Sequence, residues 1–235
     1  FELIVADDGS DEETRAIVDE YRKTVDFPVK HVWQENKGYR RAKIANEAVR
    51  NSAGEIILLS DGDCIPHRDF VGVHAREGGA GRFCVGGYIR LSAEYCPKMT
   101  KENVKAGEYE AQMTDADRRR FRWTHLKGLW GVFWGNLHKP KVYGCNISAA
   151  RDVYGAVNGY DENFDGFGKE DSDLRNRMRR SGAKPVSVWG QAWTYHVDDV
   201  IDPKIRRRRI PRGDAEPYYR RPNVPVRCEN GLVKP

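Results

Sequence analysis

No stretch of this 235-residue chain approaches the roughly 20 consecutive apolar residues of a membrane-spanning helix, and the mean hydropathy is -0.74. Cysteine is scarce and unpatterned: Cys64, Cys84, Cys96, Cys145 and Cys228 are odd in number and contain no C-x-x-C pair. That argues against a disulfide framework or a structural zinc site and favours a reducing, cytoplasmic compartment. The chain opens on Phe1-Glu2-Leu3-Ile4-Val5, with neither an initiator methionine nor the basic and apolar regions of a secretory leader. Opening inside a strand-like run, it carries the expectation that a segment upstream is missing.

What is present suffices for one sizeable domain, expected over residues 1–202. Hydrophobic residues make up 39%, and 40 Lys and Arg against 35 Asp and Glu leave a net charge of +5. Much of the excess gathers late, in Arg206-Arg207-Arg208-Arg209 with Lys204, Arg212, Arg220 and Arg221. Prolines from Pro203 onward, mixed with these arginines, read as an extended basic tail over 203–235. Such a segment favours a polyanionic neighbour, either an anionic bilayer leaflet met through 203–221 or nucleic acid.

Along the domain, residues 1–6 read as a buried strand. Ser10 and Glu13 read as the capping box of a helix that turns Ile17, Val18 and Tyr21 inward. Residues 29–33 form a second strand, and 38–53 a second helix with Ala42, Ala45, Ala48 and Val49 inward and Gly54 as its stop. Ile56-Ile57-Leu58-Leu59 is a third strand, continuously apolar and so expected to be covered on both faces. This alternation predicts an α/β fold with a mostly parallel sheet flanked by helices.

Further on, 83–91 reads as one strand with a glycine bulge and 103–122 as a charged, solvated helix. The tryptophan-rich stretch 121–134 reads as a cap on the sheet, an acceptor surface or an interfacial belt. Residues 170–180 form a helix with acids in its first turn, Leu174 and Met178 inward, and Gly182 as its stop. Strands over 186–189 and 192–195 follow, the latter running into His196.

The third strand leads directly into Asp61-Gly62-Asp63. At the carboxyl end of a strand in an open α/β sheet, paired carboxylates face the ligand crevice. Their hard oxygens suit Mn²⁺ or Mg²⁺ on a diphosphate, and Gly62 lets the backbone approach that ligand. A plain Asp-Gly turn would look the same in isolation. The company separates the two readings, because the first strand also ends in acids, Asp7-Asp8, and His196 closes a later one where an imidazole suits a metal position.

Taken together, Val5-Ala6-Asp7-Asp8-Gly9-Ser10, Asn36-Lys37-Gly38 followed by Lys43 and Asn46, and Asp61-Gly62-Asp63 resemble the successive nucleotide-sugar motifs of family 2 glycosyltransferases with the GT-A, Rossmann-like fold. Gly144-Cys145-Asn146-Ile147-Ser148, Val157-Asn158-Gly159-Tyr160-Asp161-Glu162 and Gly166-Phe167-Gly168-Lys169-Glu170-Asp171-Ser172-Asp173-Leu174 resemble the acceptor half of the same enzymes, including a galactosyltransferase-like C-terminal segment. The resemblance spans about residues 1 to 197, with a nucleotide-sugar half over 1–100 and an acceptor and catalytic half over 101–202. It departs at the start, where the family's first strand and helix, roughly 30 residues by βαβ size, are absent.

The resemblance implies an inverting transfer of a sugar from a nucleotide-sugar donor, a UDP-sugar favoured, to a hydroxyl of a glycan or lipid-linked acceptor. Asp7 or Asp8 would hold the base or ribose, Lys43 or Arg40 the base edge or phosphate, and Asp61 the ribose or a metal-bound water. Gly62 and Asn146 belong to the same binding set. Asp63 and His196 would hold Mn²⁺ or Mg²⁺, Asp171 would act as general base, and Glu170 would orient the acceptor. A bacterial surface polysaccharide or lipopolysaccharide pathway, at the inner face of the membrane, is the expected setting. Two rivals are a sugar-nucleotide nucleotidyltransferase, which would need a phosphate loop at its first strand turn, and a basic nucleic-acid-binding module. The acids would be costly on a phosphate-binding surface, so nucleic acid is not the expected partner.

Overall fold

The computed structural model describes residues 1–164, 166–197 and 215–235. The basic cluster at 204–212, expected to face a polyanion, lies outside the described residues. Strands β1 (Leu3–Asp7) and β2 (Val29–Trp33) pair in parallel, Leu3 opposite Val29 and Asp7 opposite Trp33, with α1 (Glu12–Arg22) between them in sequence. The cap of α1 is Asp11, which accepts from the Thr14 N–H, rather than the expected Ser10 and Glu13. Ser10 is still part of the preceding turn: its N–H donates to Asp7 and its carbonyl accepts from the Trp33 indole. Helix α2 (Arg41–Arg50) is shorter than expected because Gly38 sits at φ +90° and Arg40 is not yet helical.

The remaining strands are β3 (Ile56–Leu59), β4 (Cys64–Pro66), β5 (Arg82–Val85), β6 (Gly87–Arg90), β7 (Ile147–Ala150), β8 (Lys184–Ser187) and β9 (Trp193–His196). They form one sheet in the order β3-β7-β5-β8 and another in the order β4-β9-β6. Strand β7 runs antiparallel to both β3 and β5, and β4 antiparallel to β9, while β5–β8 and β6–β9 are parallel. The sheets are therefore mixed rather than mostly parallel. Apolar runs determine that a strand is covered; they carry no information about the direction of a neighbour arriving from about ninety residues later.

The expected single strand over 83–91 is broken in two at Gly86, where the chain passes from one sheet to the other. A Cβ at Gly86 would lie 2.3 Å from the Asn146 amide, and one at Gly87 2.3 Å from the Trp189 ring. Trp189 is buried and packs edge-on against Phe121. Gly87→Ala is expected to destabilise the protein by about 1–3 kcal/mol through overpacking. Denaturant titration checks this, and an unchanged midpoint would contradict it.

The helices are α3 (Phe70–Glu77), α4 (Lys101–Ala106), α5 (Asp115–Phe133), α6 (Arg151–Ala156), α7 (Glu170–Arg180) and α8 (Ala215–Tyr219). The main core gathers Phe83, Val85, Ile147, Tyr154, Leu174 and Met178 between α2, α6, α7 and the four-stranded sheet. Residues 228–233, expected in an extended tail, are docked against this core instead. Cys228 is buried, Leu232 packs on the cluster, and the Asn158 amide donates to the carbonyls of Cys228 and Val233. The stretch is irregular, yet its backbone finds buried partners and so needs no core of its own.

Candidate active site

The carboxyl end of β3, the start of α2 and the start of α7 meet around one side chain, Arg41. Its Nε and Nη2 donate to Asp61 Oδ1 at 3.2 and 3.0 Å, and Nη1 donates to Asp171 Oδ1 at 2.9 Å and to the Tyr160 hydroxyl at 3.0 Å. Nη2 also donates to the Gly144 carbonyl at 3.0 Å, so every N–H of the guanidinium is used. Tyr160 in turn donates to Asp171 Oδ1 at 2.6 Å, leaving both protein bonds of that carboxylate on one oxygen. Gly144 is required here, because a Cβ would stand 2.6 Å from both Arg41 Nη2 and Asp171 Oδ2.

Asp61 and Asp171 are thus brought together although 110 positions apart in sequence. Helix α2 is also tied to the loop that carries Tyr160 through the fully buried Asn46. Its amide nitrogen donates to the Tyr160 carbonyl and to Glu162, while its oxygen accepts from the Tyr160 N–H and the Tyr154 hydroxyl.

Burial opposes the charge on Arg41, but Asp171, Tyr160 and Asp61 outweigh it and hold the guanidinium well above its usual range. Burial pushes the Asp61 carboxyl up despite the nearby Arg41. Glu170 is buried, its Oε2 has no hydrogen-bond partner among the described residues, and burial with the adjacent Asp171 charge pushes its pKa up to about 7. A carboxyl whose folded pKa is raised favours the folded state below the unfolded value of 4.5, and that contribution is lost as pH rises through about 7. Glu170→Gln is therefore expected to flatten the decline of stability between those pH values. Parallel melting curves of the two proteins across that window test it, and identical slopes would count against it.

The second acid of the triplet, Asp63, is 49% exposed and its Oδ2 stands 3.3 Å from His196 Nε2. With Cys64 Sγ, these groups offer ligand atoms within 4.8 Å of one another. Asp61, Cys64 and Cys145 form a second such group. Cys64 is held as a thiol, its pKa driven far up by the hydrogen bond it donates to Cys145 and by burial, so the hard pair Asp63 and His196 is the better donor set for Mn²⁺ or Mg²⁺. A Cβ on Gly62 would meet open space, which leaves room for a ligand over the turn.

Other expected ligand residues are placed differently. Asp7 is buried and fully engaged, accepting from the Gly9 and Ser10 N–H groups and standing 2.8 Å from His31 Nε2. Burial pushes its pKa up, but Ser10 and His31 more than offset that, so Asp7 shapes the turn as an anion rather than facing a ligand. Asp8 is partly exposed and joins the next loop, accepting from Gln34 Nε2 and from the Arg40 N–H, both at 2.6 Å. The Arg40 guanidinium donates to the Glu35 carbonyl and lies 3.9 Å from Asp8. Lys43 is exposed, two residues and so about 200° around the helix from Arg41, and is not gathered with the carboxylates.

Asn146 corrects the sequence expectation most sharply. It is 0% exposed, donates to the Gly87 and Ala192 carbonyls at 2.8 and 3.2 Å, and accepts from His74 Nε2 at 2.9 Å. His74 is kept neutral by burial, its pKa lowered to about 4, and its Nδ1 accepts from the Ser148 hydroxyl. Asn146 ties the two sheets together where the chain breaks at Gly86.

The profile described as "Glycosyl transferase family 2" matches residues 1–140. The chain belongs to that family. A second profile, "N-terminal domain of galactosyltransferase", matches residues 130–198 of this family 2 chain. Among curated relatives it is similar to validoxylamine A glucosyltransferase of Streptomyces hygroscopicus subsp. jinggangensis, 27% identical over 82% of this chain and 47% of that protein. It is also similar to chondroitin synthase of Escherichia coli, 26% identical over 84% of this chain and 30% of that one. The chain therefore spans about half or less of the length of these relatives.

Two solved structures share its GT-A fold. One is the mannosyltransferase PcManGT from Pyrobaculum calidifontis in complex with GDP-Man and Mn²⁺, with a TM-score of 0.53, 17% identity and coverage of 88% of this chain and 51% of that one. The other is GalNAc-T7 with UDP, GalNAc and Mn²⁺, with a TM-score of 0.53, 13% identity and coverage of 85% and 38%.

Proposed function

We propose that this chain carries the transfer site of a metal-dependent, inverting glycosyltransferase that moves a sugar from a nucleotide-sugar donor, a UDP-sugar first, to a hydroxyl of a glycan or lipid-linked acceptor. The observation that carries this reading is the convergence on Arg41 of an acid from the nucleotide half, Asp61, and an acid from the acceptor half, Asp171. Family membership, the GDP-Man and Mn²⁺ bound to one structural neighbour and the UDP, GalNAc and Mn²⁺ bound to the other support it. Synthesis of a bacterial surface polysaccharide, from the cytoplasmic side, is the setting this reading favours.

Asp63 and His196 would hold Mn²⁺ or Mg²⁺, which when bound supplies a Lewis acid for the charge that grows on the leaving diphosphate. Asp8, with Arg40 beside it, presents the carboxylate for the nucleoside, while Asp61 is fixed by Arg41 facing the donor. Asp171 takes the proton from the acceptor hydroxyl as its oxygen bonds the anomeric carbon and the diphosphate leaves from the opposite side. The two donors on Asp171 Oδ1 direct the Oδ2 oxygen to this task. Buried Glu170, its pKa raised to about 7, is partly protonated at neutral pH and in that form offers the acceptor a hydrogen-bond donor.

Calorimetric titration of UDP, GDP and CMP, with Mn²⁺ and again with EDTA, tests the reading. One nucleotide is expected to bind in a metal-dependent way. Asp63→Ala is expected to weaken that binding by about 10–100-fold, on the scale of losing a metal-supporting group. Unchanged affinity in that variant would remove Asp63 from the ligand set, and absence of binding by all three nucleotides would overturn the donor assignment.

A further inference from the structure

The far end of α5 is unusual for a water-facing helix. Leu126, Leu129, Trp130, Phe133, Trp134 and Leu137 are all exposed, Phe133 by 78% and Trp134 by 72%. They cluster on the last two turns and the loop beyond, forming a single apolar knob rather than scattered surface residues. The first half of the helix is anchored: Phe121 is buried against Trp189, Arg120 donates to the Tyr88 carbonyl, and His125 Nδ1 lies 2.9 Å from the Ser187 hydroxyl. Pro140 and Lys139 fold back against Gly128 and Gly131, so the knob is braced from both sides.

The charge along its own segment is of one sign. From residue 118 to 151 there is no Asp or Glu, while four arginines lie over 118–122 and lysines at 127, 139 and 141. Asp115 and Asp117 pair with Arg118 and Arg120 at the anchored end. Toward the knob, Arg122, Lys127 and Lys141 are exposed and face no acid from their own segment. Tryptophan and phenylalanine at the tip with lysine and arginine behind them match the chemistry of an anionic bilayer interface. There the rings sit at headgroup depth and the cations meet phosphate.

We propose that the apolar end of α5 and its following loop dock this protein on an anionic lipid bilayer. The loop runs on from the knob to Gly144, whose carbonyl accepts from Arg41, so docking by this end would hold the acceptor half close to the lipid surface.

Flotation of the full chain with vesicles of equimolar phosphatidylglycerol and phosphatidylcholine, and with phosphatidylcholine alone, tests the proposal. The chain is expected to float with the anionic vesicles and to release with salt. The double variant Phe133→Ser with Trp134→Ser, at positions exposed enough to leave the melting temperature unchanged, is expected to lose at least about tenfold in vesicle affinity. Lys127→Glu with Lys139→Glu and Lys141→Glu is expected to abolish the preference for anionic vesicles. Equal flotation of the Phe133/Trp134 variant and the parent would assign binding to another surface and overturn the proposal. So would a failure of the parent to float, including the case in which light scattering finds a dimer that the double variant dissociates.

Discussion

Arg41→Met is expected to lower stability by about 3–5 kcal/mol and to abolish transfer, because it leaves the partly buried Asp61 and Asp171 facing each other without their shared cation. The effect has a pH signature. With the guanidinium gone, the folded-state pKa of Asp61, already raised by burial, rises further. The deficit should be largest at high pH and shrink as falling pH protonates Asp61. Arg41→Lys is expected to recover only part of the loss, since an ammonium cannot reproduce a fork that reaches Asp61, Asp171, Tyr160 and Gly144 at once. Denaturant titration of the three proteins over pH, with turnover beside it, would decide the matter. A Met variant as stable as the parent at neutral pH would show that the carboxylates do not depend on Arg41.

Asp171→Asn should separate chemistry from architecture. The amide oxygen can accept from Arg41 Nη1 and the Tyr160 hydroxyl as the carboxylate does, so the fold and the donor site should persist. What disappears is the proton acceptor. The expected loss in kcat is about 10²–10⁴-fold, the range for a general base, with nucleotide affinity nearly unchanged. Turnover close to that of the parent would exclude Asp171 as the base. Loss of nucleotide affinity alongside turnover would instead mark it as a binding residue.

Much of this arrangement is legible in the sequence because its acids sit where strands end. The β1 and β3 runs are apolar enough to locate themselves, and Asp61, Asp63 and His196 follow from being the residues at or just beyond strand ends. Arg41 escapes notice beside Arg40, although the helix period contains the answer: Arg41 lies four residues before Ala45, on the buried face, whereas Lys43 falls on the outer one. Asn146 misleads for the complementary reason. It neighbours Cys145, which does lie beside Asp61, but both fall in the turn before β7, where the Asn146 N–H donates to the Tyr143 carbonyl and its side chain turns inward with Ser148 to His74. The mixed direction of the strands and the docking of 228–233 depend on partners remote in sequence, and neither periodicity nor proline content encodes those.

That docking has a consequence for the order of events during synthesis. The loop bearing Tyr160 is held from one side by Asn46 and from the other by the final stretch, with Asn230 accepting from the Glu162 N–H and the Leu232 N–H donating to Asn158. Every acid around Arg41 has left the ribosome before that second hold exists. A nascent chain that already contains all the motif residues therefore still lacks the backing of its acceptor half, and the site reaches its final shape only once the residues around 230 have emerged and folded back.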